Sequence, residues 1–114
     1  MTVGRQRLGR WGENKAAAWY VQRGWEVLDR NWRGAGGEID LVLRRNGTVV
    51  FCEVKTRSGT AYGHPAEAVD RRKQQRIRVL AAQWLRQYQG CAGSLRFDVA
   101  CVQNGRLEVL EGAF

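Results

Sequence analysis

The strongest constraint on this chain is the dipeptide Asn46-Gly47, which separates two β-rich runs at residues 38–43 and 48–56. Asn-Gly favours the positive backbone angles of a two-residue hairpin turn, so the runs are predicted to be antiparallel strands. With that dipeptide at the centre of the turn, Leu43 faces Val50, Leu41 faces Cys52, Asp40 faces Glu53, Ile39 faces Val54 and Glu38 faces Lys55. Side chains alternate along a strand, which puts Glu38, Asp40, Glu53 and Lys55 on one face and Ile39, Leu41, Cys52 and Val54 on the other.

Like charges placed directly opposite one another destabilise a sheet, so the pair Asp40/Glu53 calls for a compensating cation. A divalent ion such as Mg²⁺ suits it, because one or two carboxylates satisfy a hard cation and leave positions for water and phosphate. Lys55, two residues beyond Glu53 on the same side, then sits where an ammonium group can position or activate a water and neutralise developing charge. The alternative is a solvated strand face on which Lys55 merely pairs with Glu38 or Glu53.

The remaining elements follow from local pattern. Residues 7–23 are rich in Ala and poor in β-branched side chains, and Gly24 stands where a helix-ending glycine belongs. Residues 25–29 read as a short strand. Residues 70–88 form a second helix, with Ile77, Leu80, Ala81, Trp84 and Leu85 on one face and Gly90 at its end. Strands at 95–102 and 107–110 flank a second Asn-Gly turn, Asn104-Gly105. The predicted order is helix, three strands, helix, two strands. The first three strands are joined too tightly for crossovers and make an antiparallel meander, whereas the second helix can return the chain parallel to it. An α/β domain with a mixed sheet flanked by helices is expected over residues 1–114, and this length leaves no room for a second domain.

Nineteen Lys and Arg against eleven Asp and Glu give a formal charge of +8, a surplus that suggests a polyanionic partner, with nucleic acid the first candidate. Three scattered cysteines without a C-x-x-C pair, and a single histidine, argue against a disulfide framework or a structural zinc site. No apolar stretch follows Arg5, Arg7 and Arg10, so no secretory signal is expected there, and no run approaches the length of a membrane span. The expectation is a cytoplasmic protein without a membrane partner. Trp19, Trp25 and Trp84 fall at core positions. Trp11 and Trp32 are open to base stacking or to packing, and His64, beside Pro65, reads as a loop residue.

GEIDLV at 37–42 followed by VFCEVKTR at 50–57 resembles the PD-(D/E)XK nuclease superfamily, and more closely the small YraN-like family of predicted endonucleases related to Holliday-junction resolvases. The likeness extends to Gly9, Gly12 and Glu13, to Arg30-Asn31-Trp32-Arg33, to the segment from Glu67-Ala68-Val69 to Lys73, and to Arg96-Phe97-Asp98-Val99. The resemblance implies a restriction-endonuclease-like fold and Mg²⁺- or Mn²⁺-dependent hydrolysis of nucleic acid, most of all branched or otherwise structured DNA. It implies Asp40 and Glu53 as metal ligands, the backbone carbonyl of Val54 as a third, Lys55 as the catalytic lysine, and Glu13 as an acid supplied by the first helix. On a helical wheel Glu13 shares an arc with Gly9, Ala16, Ala17 and Tyr20, although a first-turn carboxylate favoured by the helix dipole accounts for it equally. Ile39 replaces the proline of the signature. Glu38 is left to ligate, to orient Lys55, or to do neither. Arg57 and Thr56 are expected phosphate contacts. Lys73 either faces the site or joins Arg71, Arg72 and Arg76 as a phosphate-binding cation. Related resolvases work as symmetric dimers, which makes a homodimer an expectation, and a non-catalytic nucleic-acid-binding module on the same scaffold is the rival reading.

Overall fold

The computed structural model describes residues 2–57, 67 and 69–114, with side chains from Gly9 onward. Its elements are α1 (Thr2–Gln22), β1 (Glu26–Gly34), β2 (Gly37–Arg45), β3 (Thr48–Arg57), α2 (Arg71–Gln87), β4 (Ser94–Gln103) and β5 (Arg106–Leu110). The order is the expected one. The strands form a single sheet in the sequence β1-β2-β3-β4-β5, in which only β3 and β4 run parallel. His64, read as a loop residue beside Pro65, lies outside the described residues.

Both Asn-Gly turns take the predicted form. Asn46 and Gly47 have φ of 49° and 80°, and Asn104 and Gly105 have 50° and 77°, the left-handed values of a type I′ hairpin. Gly24, at φ 88°, ends α1: its N–H reaches Val21 O at 3.0 Å while Trp25 N–H reaches Tyr20 O at 3.0 Å, the two bonds of a Schellman motif. α2 ends differently from expectation. Its last residue is Gln87, and Tyr88, in extended backbone, donates to Trp84 O and Leu85 O, so Gly90 plays no part in the cap. At its start Asp70 caps the helix by accepting from Lys73 N–H at 2.9 Å.

The sheet separates two apolar layers. Ala16, Ala17 and Tyr20 of α1 pack with Trp25, Leu41, Leu43, Val50, Cys52 and Ala100, while Leu80, Ala81 and Trp84 of α2 pack with Ile39, Val42, Val49 and Phe51. Neighbouring residues on β3 thus serve opposite helices, as strand alternation requires. Small side chains let α1 lie close to the sheet, and at Gly12 an added Cβ would collide with Thr56 Oγ1. A Gly12→Ala substitution is accordingly expected to cost about 1–3 kcal/mol in urea unfolding, with the loss largely restored by adding Thr56→Ala. No described helix is long and apolar enough to cross a membrane. Cys52, Cys91 and Cys101 are free thiols, the first and last of them buried.

Candidate active site

The antiparallel register of β2 and β3 follows the turn-centred pairing from Arg45↔Thr48 through Leu43↔Val50 to Leu41↔Cys52, where the ladder ends. The expected next pairs, Asp40 with Glu53, Ile39 with Val54 and Glu38 with Lys55, are not formed. Asp40 replaces the missing backbone partner with its own side chain: Val54 N–H donates to Asp40 Oδ2 at 2.8 Å.

The physical reason lies in a paired irregularity with β1. That ladder contains Arg30↔Leu41 and Trp32↔Ile39 but skips Asn31 and Asp40, and Asn31 has φ 51°. A left-handed residue breaks the period-two alternation, so the strands change face across this point. Leu41 belongs to the α1 layer and Ile39 to the α2 layer, where strict alternation had placed them together. Glu38 is carried away from Lys55 and lies opposite Arg33 of β1, at a loose and exposed 3.9 Å. β1 also runs on to Gly34 instead of stopping at residue 29.

This kink assembles the site. Asn31 Nδ2 donates to Glu13 Oε1 at 2.8 Å, which fixes the α1 acid, and Arg30 donates to Asn14 Oδ1 at 2.5 Å beside it. Gly9, Arg10, Glu13 and Asn31 line a shallow pocket there. The Asp40 carboxyl is pushed up to about 8, first by burial and then by the charge of Glu53; the Val54 N–H pulls the other way, and Glu13 adds a smaller upward push. Glu53 is nearly buried, and Lys73 Nζ lies 2.7 Å from its Oε1.

Lys73 therefore faces the acids and not bulk phosphate, held at the third position of α2 by the Asp70 cap. Among three lysines in a chain with sixteen arginines, Lys55 follows Glu53 on β3 and Lys73 pairs with Glu53 from α2. That scarcity is the signal by which Lys73 stands out in the sequence. Lys55 is exposed and makes no ion pair among the described residues. Thr56 does not present its hydroxyl to solvent: Oγ1 is buried against Gly12 without a hydrogen-bond partner among the described residues. Arg57 is half-buried at the end of β3. Trp32 packs on the α2 layer, whereas Trp11 is 44% exposed, with Lys15 Nζ 4.9 Å from its ring centre.

No three acid, histidine or cysteine side chains close into a metal cage among the described residues. Two acids do meet, in a setting where burial and mutual repulsion make full ionisation unfavourable without a cation. The donor set of two carboxylates suits a hard ion that keeps several waters, so the residues present are compatible with Mg²⁺ or Mn²⁺.

The direction of the Asp40 shift sets a pH dependence. The folded chain holds this proton more tightly than the unfolded one, whose carboxyl titrates near 3.8, so the stabilisation is complete below that value and lost as pH rises towards 8. In chelator the melting temperature is expected to fall by at least about 5 °C between pH 5 and pH 8 from this group. Asp40→Asn flattens that slope, and thermal melts across the range check both.

The chain belongs to the family described as Uncharacterised protein family UPF0102, the YraN-like family, whose sequence profile matches residues 12–102. That span takes in Glu13, Asp40, Glu53, Lys55 and Lys73. The chain is 52% identical over 112 residues to a UPF0102 protein of Frankia alni, covering 94% of this chain and 93% of that one. It is 50% identical over 99 residues to a UPF0102 protein of Beutenbergia cavernae, at 87% and 84% coverage. A UPF0102 protein of Rhodococcus opacus matches at 48% over 98 residues, with 86% and 83% covered.

Proposed function

We propose that this protein is a metal-dependent endonuclease of the PD-(D/E)XK superfamily that hydrolyses phosphodiester bonds in nucleic acid, with structured or branched DNA as the substrate class. The observation that carries the reading is the parting of β2 and β3 at Asp40, which brings that carboxylate onto Glu53 at a sheet position where two anions alone repel. Asp40 and Glu53 hold Mg²⁺ or Mn²⁺, with the Val54 carbonyl as a further donor. A bound ion of this kind supplies Lewis-acid activation of water and stabilises charge on the scissile phosphate. Lys55 positions the attacking water and opposes developing negative charge, Glu13 adds an acid from the α1 side, and Arg57 is placed to contact the backbone. The reading places the protein in the cytoplasm, where its free thiols stay reduced, and symmetric cleavage of a junction favours a pair of copies.

The rival reading is a nucleic-acid-binding module without catalysis. It draws on the Lys73–Glu53 ion pair, which already neutralises one proposed ligand, and on the missing third acid in the cluster. The deciding experiment incubates the protein with single-stranded, duplex, flapped and four-way DNA and with RNA, in Mn²⁺ or chelator. Products that need the metal and vanish with Lys55→Ala support the enzyme. Binding without cleavage under every divalent ion supports the module.

A further inference from the structure

The guanidinium groups of this chain are unevenly committed. Arg96 is paired with Asp98 and Glu111, Arg23 and Arg45 donate to backbone carbonyls, Arg30 donates to Asn14, and Arg78 lies over Phe97 and Phe114. Arg71, Arg72 and Arg76 have no such partner among the described residues. All eleven acids of the chain lie within the described residues, and none is in an ion pair with these three. They are nonetheless gathered in one groove between α2 and the β1–β2 turn, together with Ala35, Gly36, Gln75 and Val79.

The groove is built, not incidental. Gln83 clamps the turn against α2 in both directions, accepting from Ala35 N–H at 2.8 Å and donating to Ala35 O at 3.3 Å. Arg72, Arg76, Val79 and Gln83 recur at helical spacing, so the anchored end of the stripe continues into the cationic one. The stem of Arg76 lies across Gly37, where an added Cβ would stand 3.4 Å from Arg76 Cδ, while one on Gly36 would meet nothing within 4 Å. A turn whose one side chain is the methyl of Ala35 thus leaves the exposed arginines Arg71, Arg72 and Arg76 uncovered beside Val79, itself 49% exposed. Like charges concentrated without a counter-anion favour an anionic ligand, and forked donors match phosphate oxygens. Arg71 and Arg72 of the groove immediately precede Lys73, whose ammonium lies on Glu53, so the groove and the contact with the acids share the first turn of α2.

We infer that this groove is the track for the sugar–phosphate backbone of the nucleic-acid strand entering the site, with Arg71, Arg72 and Arg76 on consecutive phosphates. The inference rests on the nuclease reading for the identity of the ligand, but it concerns binding and is testable apart from cleavage. Fluorescence anisotropy with labelled duplex and four-way DNA, in chelator and across a salt series, compares two double variants of equal charge: Arg72→Ala with Arg76→Ala in the groove, and Arg86→Ala with Arg106→Ala outside it. The groove variant is expected to bind at least about tenfold more weakly and to lose about 1.5–2 from the slope of log affinity against log salt, the share of two phosphate contacts. The outer variant is expected to change affinity less than threefold. Ala35→Glu, at an exposed position, places an anion in the groove and is expected to weaken binding comparably, with an unchanged melting temperature. Equal losses from the two double variants, or wild-type affinity in Ala35→Glu, would overturn the track. Binding through the groove without cleavage in any metal sinks the nuclease reading alone, cleavage with equal losses sinks the track alone, and no binding even at low salt sinks both.

Discussion

Lys55→Ala is expected to lower the rate of metal-dependent cleavage by about 10²–10⁴-fold, the usual contribution of a positioned group to proton transfer and charge stabilisation. It is the cleanest probe of the site because its loss should cost the fold little: the side chain is exposed and unpaired among the described residues. Glu53→Ala is a poorer test, since it also strands the Lys73 ammonium 2.7 Å from where its partner was, mixing lost chemistry with lost stability. Asp40→Ala removes both a proposed ligand and the acceptor of Val54 N–H. Single-turnover rates at saturating Mn²⁺, on whichever substrate the wild type cuts, read the effect. A Lys55→Ala protein that cuts at the wild-type rate would remove the lysine from the chemistry.

Asp98→Asn is expected to be the most damaging single change to stability, at about 3–5 kcal/mol, or roughly 15 °C in melting temperature. Asp98 is completely buried and accepts four hydrogen bonds: Tyr20 Oη at 2.6 Å, Arg96 Nε and a terminal Arg96 nitrogen at 2.9 Å each, and Gly112 N–H at 2.9 Å. An amide keeps one acceptor oxygen and turns a donor towards other donors, leaving Arg96 without its counter-ion. The pairing with Asp98 raises the Arg96 guanidinium above its ordinary value, and burial keeps the Tyr20 phenol un-ionised. Tyr20→Phe removes one of the four bonds and should cost only about 1–2 kcal/mol. Equilibrium urea unfolding of the two variants checks the ranking, and an Asp98→Asn protein within 1 kcal/mol of wild type, a threshold set by the usual scatter of surface changes, would refute it.

The elements most legible in the sequence were those governed by local rules. Two Asn-Gly turns, a capping glycine at Gly24 and the apolar face of α2 are each written in a few adjacent residues, and together they give the element order and one parallel crossover. The kink at Asn31 and Asp40 was not legible, because it depends on two strands departing from regularity at the same place. Strict alternation therefore put Ile39 on the wrong side and Glu38 against Lys55. The Asp98 network had a partial trace, a carboxylate beside Val99 and Ala100 with arginine two residues before it, but its partners Tyr20 and Gly112 lie on distant segments. Lys73 was ambiguous for a related reason: among neighbouring arginines its charge was evident, while the direction in which the helix aims it depends on how α2 crosses the sheet.

The single parallel pairing has a consequence for assembly. β1, β2 and β3 are joined by tight turns and can associate soon after they are made, whereas β3 must wait for β4 across a long connection, and Tyr20 meets Asp98 only when residues 78 positions apart in sequence converge. Loop-closure entropy makes such remote pairings the slow ones. The strand bearing Glu53 and Lys55 is thus sealed on its second edge late, so a chain still emerging from the ribosome carries the acids well before it holds them in working order.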